Sequence, residues 1–211
     1  MKSIAKFSCL LLLLITSTTV LLARPSSITF TISMEQPAAH IFQVNLQCQG
    51  FGVESIDFKM PVWTPGYYQR LDFAQYVEQF KALDSKGKPL QWEKINDNTW
   101  RVHAVSRRGI VLNYQVKTQR SFVATPYLDE ERGYILPGGV FMYPVGHLAH
   151  PSLVQVVPFS SWKNIATGLE VVSGKPYTFK AANFDILYDS PLLVGNLEEL
   201  PPFSVAGKTH R

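Results

Sequence analysis

The residue types that carry catalysis are present in this chain, but not at catalytic spacings. Two histidines four apart on a helix with a glutamate beside the first would hold a zinc ion and activate its water; no such pattern occurs. His147 and His150 form the closest histidine pair, and Pro144 and Pro151 bracket them, so a loop is expected and not a helix face. His40, His103 and His210 are scattered along or beside expected strands. Cys48 shares the alternation of Phe42, Val44 and Leu46, which makes it a small buried hydrophobe and not a nucleophile. Asp129, Glu130 and Glu131 are contiguous, the pattern of a solvated loop. Neither the G-x-S-x-G elbow nor the G-x-x-x-x-G-K-[ST] phosphate loop is present. No catalytic or metal-binding residue is therefore assigned.

One segment concentrates binding chemistry. Met60-Pro61-Val62-Trp63-Thr64-Pro65-Gly66-Tyr67-Tyr68-Gln69-Arg70-Leu71-Asp72-Phe73-Ala74 packs prolines, a glycine and aromatics directly after an expected strand. Pro65-Gly66 suits the central positions of a type II turn, and Asp72 suits the cap of a short helix. Trp63 and Tyr68 are expected to anchor this corner against the core, so that Trp63→Ala would cost about 3–5 kcal/mol as a buried aromatic truncation. The alternative is that Trp63, Tyr67 and Tyr68 face a substrate or ligand.

The elements around the corner read as strands. Ile28, Phe30, Ile32 and Met34 alternate with hydroxyl residues, and the same period of two recurs at 42–48, 56–60, 100–104, 110–116 and 154–156. Pro and Gly punctuate these runs, for example at Gly50, Pro89 and Pro137-Gly138-Gly139. Short helical turns are expected at 71–77 and at 182–187, the second capped by Asn183. This pattern predicts an all-β domain, an antiparallel sandwich or open barrel, spanning residues 24–211.

Residues 1–23 read as a secretory signal peptide: Lys2 and Lys6 precede the Leu- and Val-rich run from Cys9 to Leu22. Export to the periplasm or medium is expected, and a membrane contact only if that segment stays uncleaved. Without residues 1–23 the 20 basic residues fall to 18 against 16 acidic ones, which offers no electrostatic footprint for nucleic acid. Cys48 is then the sole cysteine, so no intrachain disulfide forms and burial must hold the domain together.

The corner resembles the P-x-W-x-P-G-x-Y…D-F-A signature of the N-terminal domain of the glycyl aminopeptidase family of gluzincin metallopeptidases. Further segments fall in the family's order: Pro37 and His40, Phe80-Lys81-Ala82-Leu83-Asp84, Thr99-Trp100-Arg101-Val102, Ile110–Tyr114, Trp162 with Ala166–Leu169, Phe184-Asp185 with Asp189-Ser190-Pro191, and Phe203 to His210. The Arg-Asp-Phe often seen in the signature is Leu71-Asp72-Phe73 here, with Arg70 displaced by one position, so no role passes to that arginine. The resemblance implies a noncatalytic scaffold and substrate-cleft domain. Zinc and H-E-x-x-H belong to a catalytic domain expected beyond Arg211, a partner in cis or in trans, and a peptide is the implied substrate. A free-standing secreted or periplasmic module that binds a peptide or glycan through Trp63, Tyr67 and Tyr68 is the alternative.

Overall fold

The computed structural model describes residues 26–106, 108–118 and 122–210; residues 1–23, where a signal peptide is expected, lie outside them. In chain order the first half comprises β1 (Ser27–Ser33), β2 (Ile41–Gln49), β3 (Val53–Lys59), β4 (Val77–Asp84), β5 (Trp92–Asn96), β6 (Thr99–Val105) and β7 (Ile110–Lys117). There follow β8 (Tyr127–Leu128), β9 (Arg132–Ile135), α1 (Pro137–Val140), β10 (Tyr143–Pro144), β11 (Ser152–Val157), β12 (Asn164–Thr167), β13 (Glu170–Val171), β14 (Thr178–Ala181), α2 (Phe184–Tyr188), β15 (Leu192–Gly195), β16 (Phe203–Val205) and β17 (Lys208–His210).

The expected all-β class holds. A seven-stranded sheet runs β13-β14-β11-β1-β2-β7-β4; two four-stranded sheets run β10-β3-β6-β5 and β12-β15-β9-β8; and β16 pairs with β17. None of these sheets closes into a barrel. Every pairing is antiparallel except β1 with β11, and a parallel neighbour needs the long crossover connection that the chain makes between them.

Alternation explains the layering. Phe30, Ile32, Val44, Leu46, Leu112 and Val154 on the large sheet point to one side, and join Phe58, Val102, Ile135 and Val194 from the smaller sheets in one buried cluster. A bulge in β4 between Glu78 and Lys81 adds the contact that repetition alone would miss. With Gln79 in the left-handed region at φ 54°, Phe80 turns inward and its ring stacks on Trp100 at 5.6 Å and on Tyr114 at 6.5 Å.

Carboxylates fix two of the turns and pairings. The Arg101 guanidinium donates to both oxygens of Asp57 across the β3–β6 pair, at 2.7 and 2.9 Å, and this holds the Asp57 carboxyl below its usual range. Asp129 Oδ1 accepts the Glu131 and Arg132 backbone N–H groups at 2.9 Å, and Tyr127 donates its hydroxyl to Oδ2. Partial burial disfavours the Asp129 charge, but these donors outweigh it and the carboxyl also titrates low. The acidic triplet is thus a hairpin turn. Because both carboxyls are more acidic folded than unfolded, their stabilisation is complete above the unfolded value of about 4 and is lost as pH falls through the folded values. We expect the thermal midpoint to drop below about pH 4, and Asp57→Asn with Asp129→Asn to shrink that drop in a melting series from pH 7 to pH 3. An unchanged acid dependence would contradict the pairing.

Candidate functional site

The corner begins where β3 ends. Met60 is fully buried, and Asn98, in the turn between β5 and β6, clamps it: the Asn98 amide donates to the Met60 carbonyl at 2.7 Å and the Met60 N–H to the Asn98 carbonyl at 2.9 Å. Gly66 at φ 79° and the Tyr67 N–H on the Thr64 carbonyl at 3.2 Å form the expected tight turn. The Leu71 N–H closes the loop on the Val62 carbonyl at 2.7 Å. Phe73 and Ala74, in a short 3-10 turn, root it in the core. Asp72 precedes that turn, but its side chain makes no capping hydrogen bond, because a turn this short leaves its backbone at φ −91°, ψ 70° instead of in the geometry of a cap.

The aromatics do not anchor the corner by burial. Trp63 is 47% exposed and Tyr68 91% exposed. The correction has a physical cause: the turn faces the backbone inward through Thr64 and sends the indole outward, where it leans edge-on against Tyr188 at 5.5 Å. Tyr188 also donates its hydroxyl to the Trp63 carbonyl. Partial burial, with Tyr143 nearby, pushes that phenol up to about 12, so it stays a neutral donor throughout the physiological range. Tyr67 is half-buried, edge-on to Phe122 at 5.4 Å, and its hydroxyl donates to Gln69 at 3.1 Å. Trp63→Ala should therefore cost about 1 kcal/mol or less, since half of the ring is already in water. Urea denaturation checks this; a loss of 3 kcal/mol would restore the anchor reading.

Behind Trp63 lies an aromatic groove of about 290 Å³, bordered by Trp63, Tyr143, Leu148, Phe184 and Tyr188, with Lys59 and Asp185 among its lining residues. Its rings form a continuous series, Tyr143 to Phe184 at 5.0 Å and Phe184 stacked on Tyr188 at 5.9 Å. Asn183 sets this wall by accepting the Ile186 N–H at 2.9 Å, the cap expected for α2. On the other flank a hollow of about 180 Å³ is lined by Arg70, Asp72, Gln75 and Lys117. Sequence reasoning missed Tyr143 and Tyr188 as partners of the corner, although Phe184-Asp185 carried the family pattern. It also read Gly138 and Gly139 only as breakers, whereas both are buried beneath the corner.

The remaining chemistry-bearing residues are elsewhere. The His147 and His150 rings stand 5.0 Å apart against Phe51, in a turn closed by the His150 N–H on the His147 carbonyl. Partial burial, then His150, pushes His147 down, and its Nδ1 is buried without a partner. Cys48 is fully buried, which pushes its thiol up and leaves it unreactive. His40 donates from Nδ1 to the Leu128 carbonyl at 2.6 Å, tying β8 to the start of β2. Among the described residues no three His, Cys, Asp or Glu side chains converge to hold a metal. What the corner presents is exposed aromatic surface on a hydrogen-bonded turn.

The sequence model of the peptidase M61 N-terminal domain matches residues 29–196, most of the chain. The chain belongs to the M61 peptidase N-terminal domain family. The M61 domain is similar to a crystal structure of an aminopeptidase N family protein from Idiomarina loihiensis, with a TM-score of 0.79 and 28% identity, over 87% of this chain and 31% of that one. It thus spans about a third of that protein's length. A zinc metallopeptidase of the M1 family from Deinococcus radiodurans aligns with a TM-score of 0.46 and 14% identity, over 87% of this chain and 45% of that one. No curated protein matches this chain. The family expected from the W-x-P-G-x-Y corner is the family found, and the two segments that meet at the groove, 60–74 and 184–191, both lie within the match.

Proposed function

We propose that this M61 N-terminal domain is a noncatalytic scaffold of an exported metallo-aminopeptidase-like protein, and that its aromatic corner forms one wall of the substrate cleft. The observation that carries the reading is the corner itself. Trp63 and Tyr68 are held outward by a hydrogen-bonded turn rooted in the core, beside a groove walled by Tyr143 and Tyr188. Exposed large aromatics on a rigid support are the anchors that protein and peptide interfaces use. Zinc and its ligands belong, in this reading, to a catalytic region that works with the domain in cis or in trans, and a peptide lies between the two. Export rests on Lys2, Lys6 and the apolar run that follows, with the mature protein beginning near Arg24 in the periplasm or the medium.

The test is zinc content and hydrolysis of aminoacyl amides by the purified protein. Neither stoichiometric zinc nor turnover is expected, because a catalytic zinc needs about three protein ligands and an open water position. One tightly held zinc per chain together with chelator-sensitive turnover would overturn the noncatalytic role.

A further inference from the structure

The centre of the large sheet's open face, across β1, β2 and β7, has two successive rows without a charged side chain, whereas the Glu170–Lys180 pair occupies the β13-β14 end of the same face. Register places Thr31 beside Asn45 and Asn45 beside Asn113, and in the next row Ser33 beside Gln43 and Gln43 beside Gln115. All six are amides or hydroxyls. Ionised side chains make up about a quarter to a third of an ordinary soluble surface. The outward face of the β3-β6-β5 sheet obeys that rule, with the Asp57–Arg101 and Glu93–His103 pairs. On the large sheet the first charges of these two rows come only at the edge strand, at Lys81 and Glu78.

These six residues line a depression of about 220 Å³, which Gln79 and Lys81 close on the side of the edge strand. An amide relay organises its floor: Gln47 Nε2 donates to Asn45 Oδ1 at 3.1 Å, and Asn45 Nδ2 donates to Asn113 Oδ1 at 2.7 Å. The relay fixes both carboxamides and leaves the Asn113 amide nitrogen as a free double donor among the described residues. A fixed array that both donates and accepts, without charge, selects its ligand by exclusion. An anion would meet a single cation, Lys81, at the edge-strand side and only uncharged groups across the floor. An apolar group would strip water from six polar side chains and return no hydrogen bonds. A peptide backbone pairs with a sheet's edge and not with its face. Neutral hydroxyls, each a donor and an acceptor, match the array.

We propose that this face binds a neutral oligosaccharide, seated in the depression between β1, β2 and β7, with its hydroxyls on Asn45, Asn113, Gln43 and Gln115. The depression shares no lining residue with the groove beside Trp63, so the site is independent of the corner's role. The test titrates the purified protein with cellohexaose, maltohexaose and chitohexaose, and with hexagalacturonate as the charged control, by calorimetry and amide-resonance shifts. At least one neutral hexasaccharide is expected to bind more tightly than about 1 mM, with little dependence on salt. Asn45→Ala with Asn113→Ala should weaken it by about tenfold or more, and Trp63→Ala should leave it unchanged. If that double variant does not fold, Gln43→Ala with Gln115→Ala decides by the same criterion. The proposal is overturned if no neutral hexasaccharide binds at 1 mM, if hexagalacturonate binds more tightly than all three, or if binding follows Trp63 and ignores the amides.

Discussion

Tyr114→Phe is expected to cost the domain about 2–4 kcal/mol, although it removes a single oxygen and keeps the ring. Tyr114 sits on the inner face of β7 at 2% exposure. Its hydroxyl donates to the Val140 carbonyl at 2.8 Å and accepts the Met142 N–H at 3.1 Å. Val140 and Met142 are themselves fully buried, so no solvent replaces the lost partner. Each orphaned buried group carries a penalty of about 1–3 kcal/mol, far more than the net worth of a replaceable hydrogen bond. Burial also pushes the phenol up, which keeps the hydroxyl protonated and a donor at neutral pH. Chemical denaturation should show a lower midpoint with an unchanged slope, and Tyr68→Phe, at an almost fully exposed ring, should show no change. A Tyr114→Phe protein as stable as its parent would mean that the hydroxyl does not tie residues 140–142 to the sheet.

That tie matters because the same segment supports the corner. Gly139→Ala is expected to destabilise by roughly 1–3 kcal/mol, and for reasons of space, since neither Gly138 nor Gly139 has a positive φ. A Cβ on Gly139 would stand 2.6 Å from Cδ of Pro126 and 3.0 Å from the Phe73 ring, and the proline ring has no rotamer in which to yield. A Cβ on Gly138 would stand 2.6 Å from the edge of the Tyr188 ring and 3.3 Å from the Trp63 carbonyl oxygen. Tyr188 is half-exposed and can swing away, so Gly138→Ala should cost less in stability while moving Tyr188 off Trp63. Paired denaturation curves separate the two. Equal stability of Gly139→Ala and the parent would contradict the packing of α1 between Pro126 and the corner.

The strands that could be read from the chain are those whose two faces meet different solvents. β1, β2, β7 and β11 alternate because one side meets the core and the other meets water. β5 carried no such signal, since all five of its residues are exposed, and β4 lost the period at its bulge. The parallel union of β1 with β11 depends on the whole intervening chain, and no local pattern announces it. At the corner, Pro65-Gly66 specified its own turn, so the backbone was legible. The direction of Trp63 was not. A tryptophan's transfer energy argues for the core, and the ring that receives its edge, Tyr188, comes from 125 residues further along. Asn183 and Asp72 make the same point about caps. Both are residues that cap helices, but only Asn183 precedes an α-helical turn that presents an N–H group to it.

The role we propose for this domain, as the N-terminal part of a peptidase that works through the outward aromatic corner, can be tested by grafting. The most direct measurement replaces the N-terminal domain of an M61 member of measured aminopeptidase activity with residues 26–196 of this chain, and compares kcat/KM with that of the same chimera carrying Trp63→Ala and Tyr68→Ala. A folded, active chimera is expected, with kcat/KM lower by about tenfold or more in the double variant, a loss of roughly 1.4 kcal/mol of transition-state stabilisation. A folded chimera without activity, or one whose kcat/KM is indifferent to both substitutions, would contradict it.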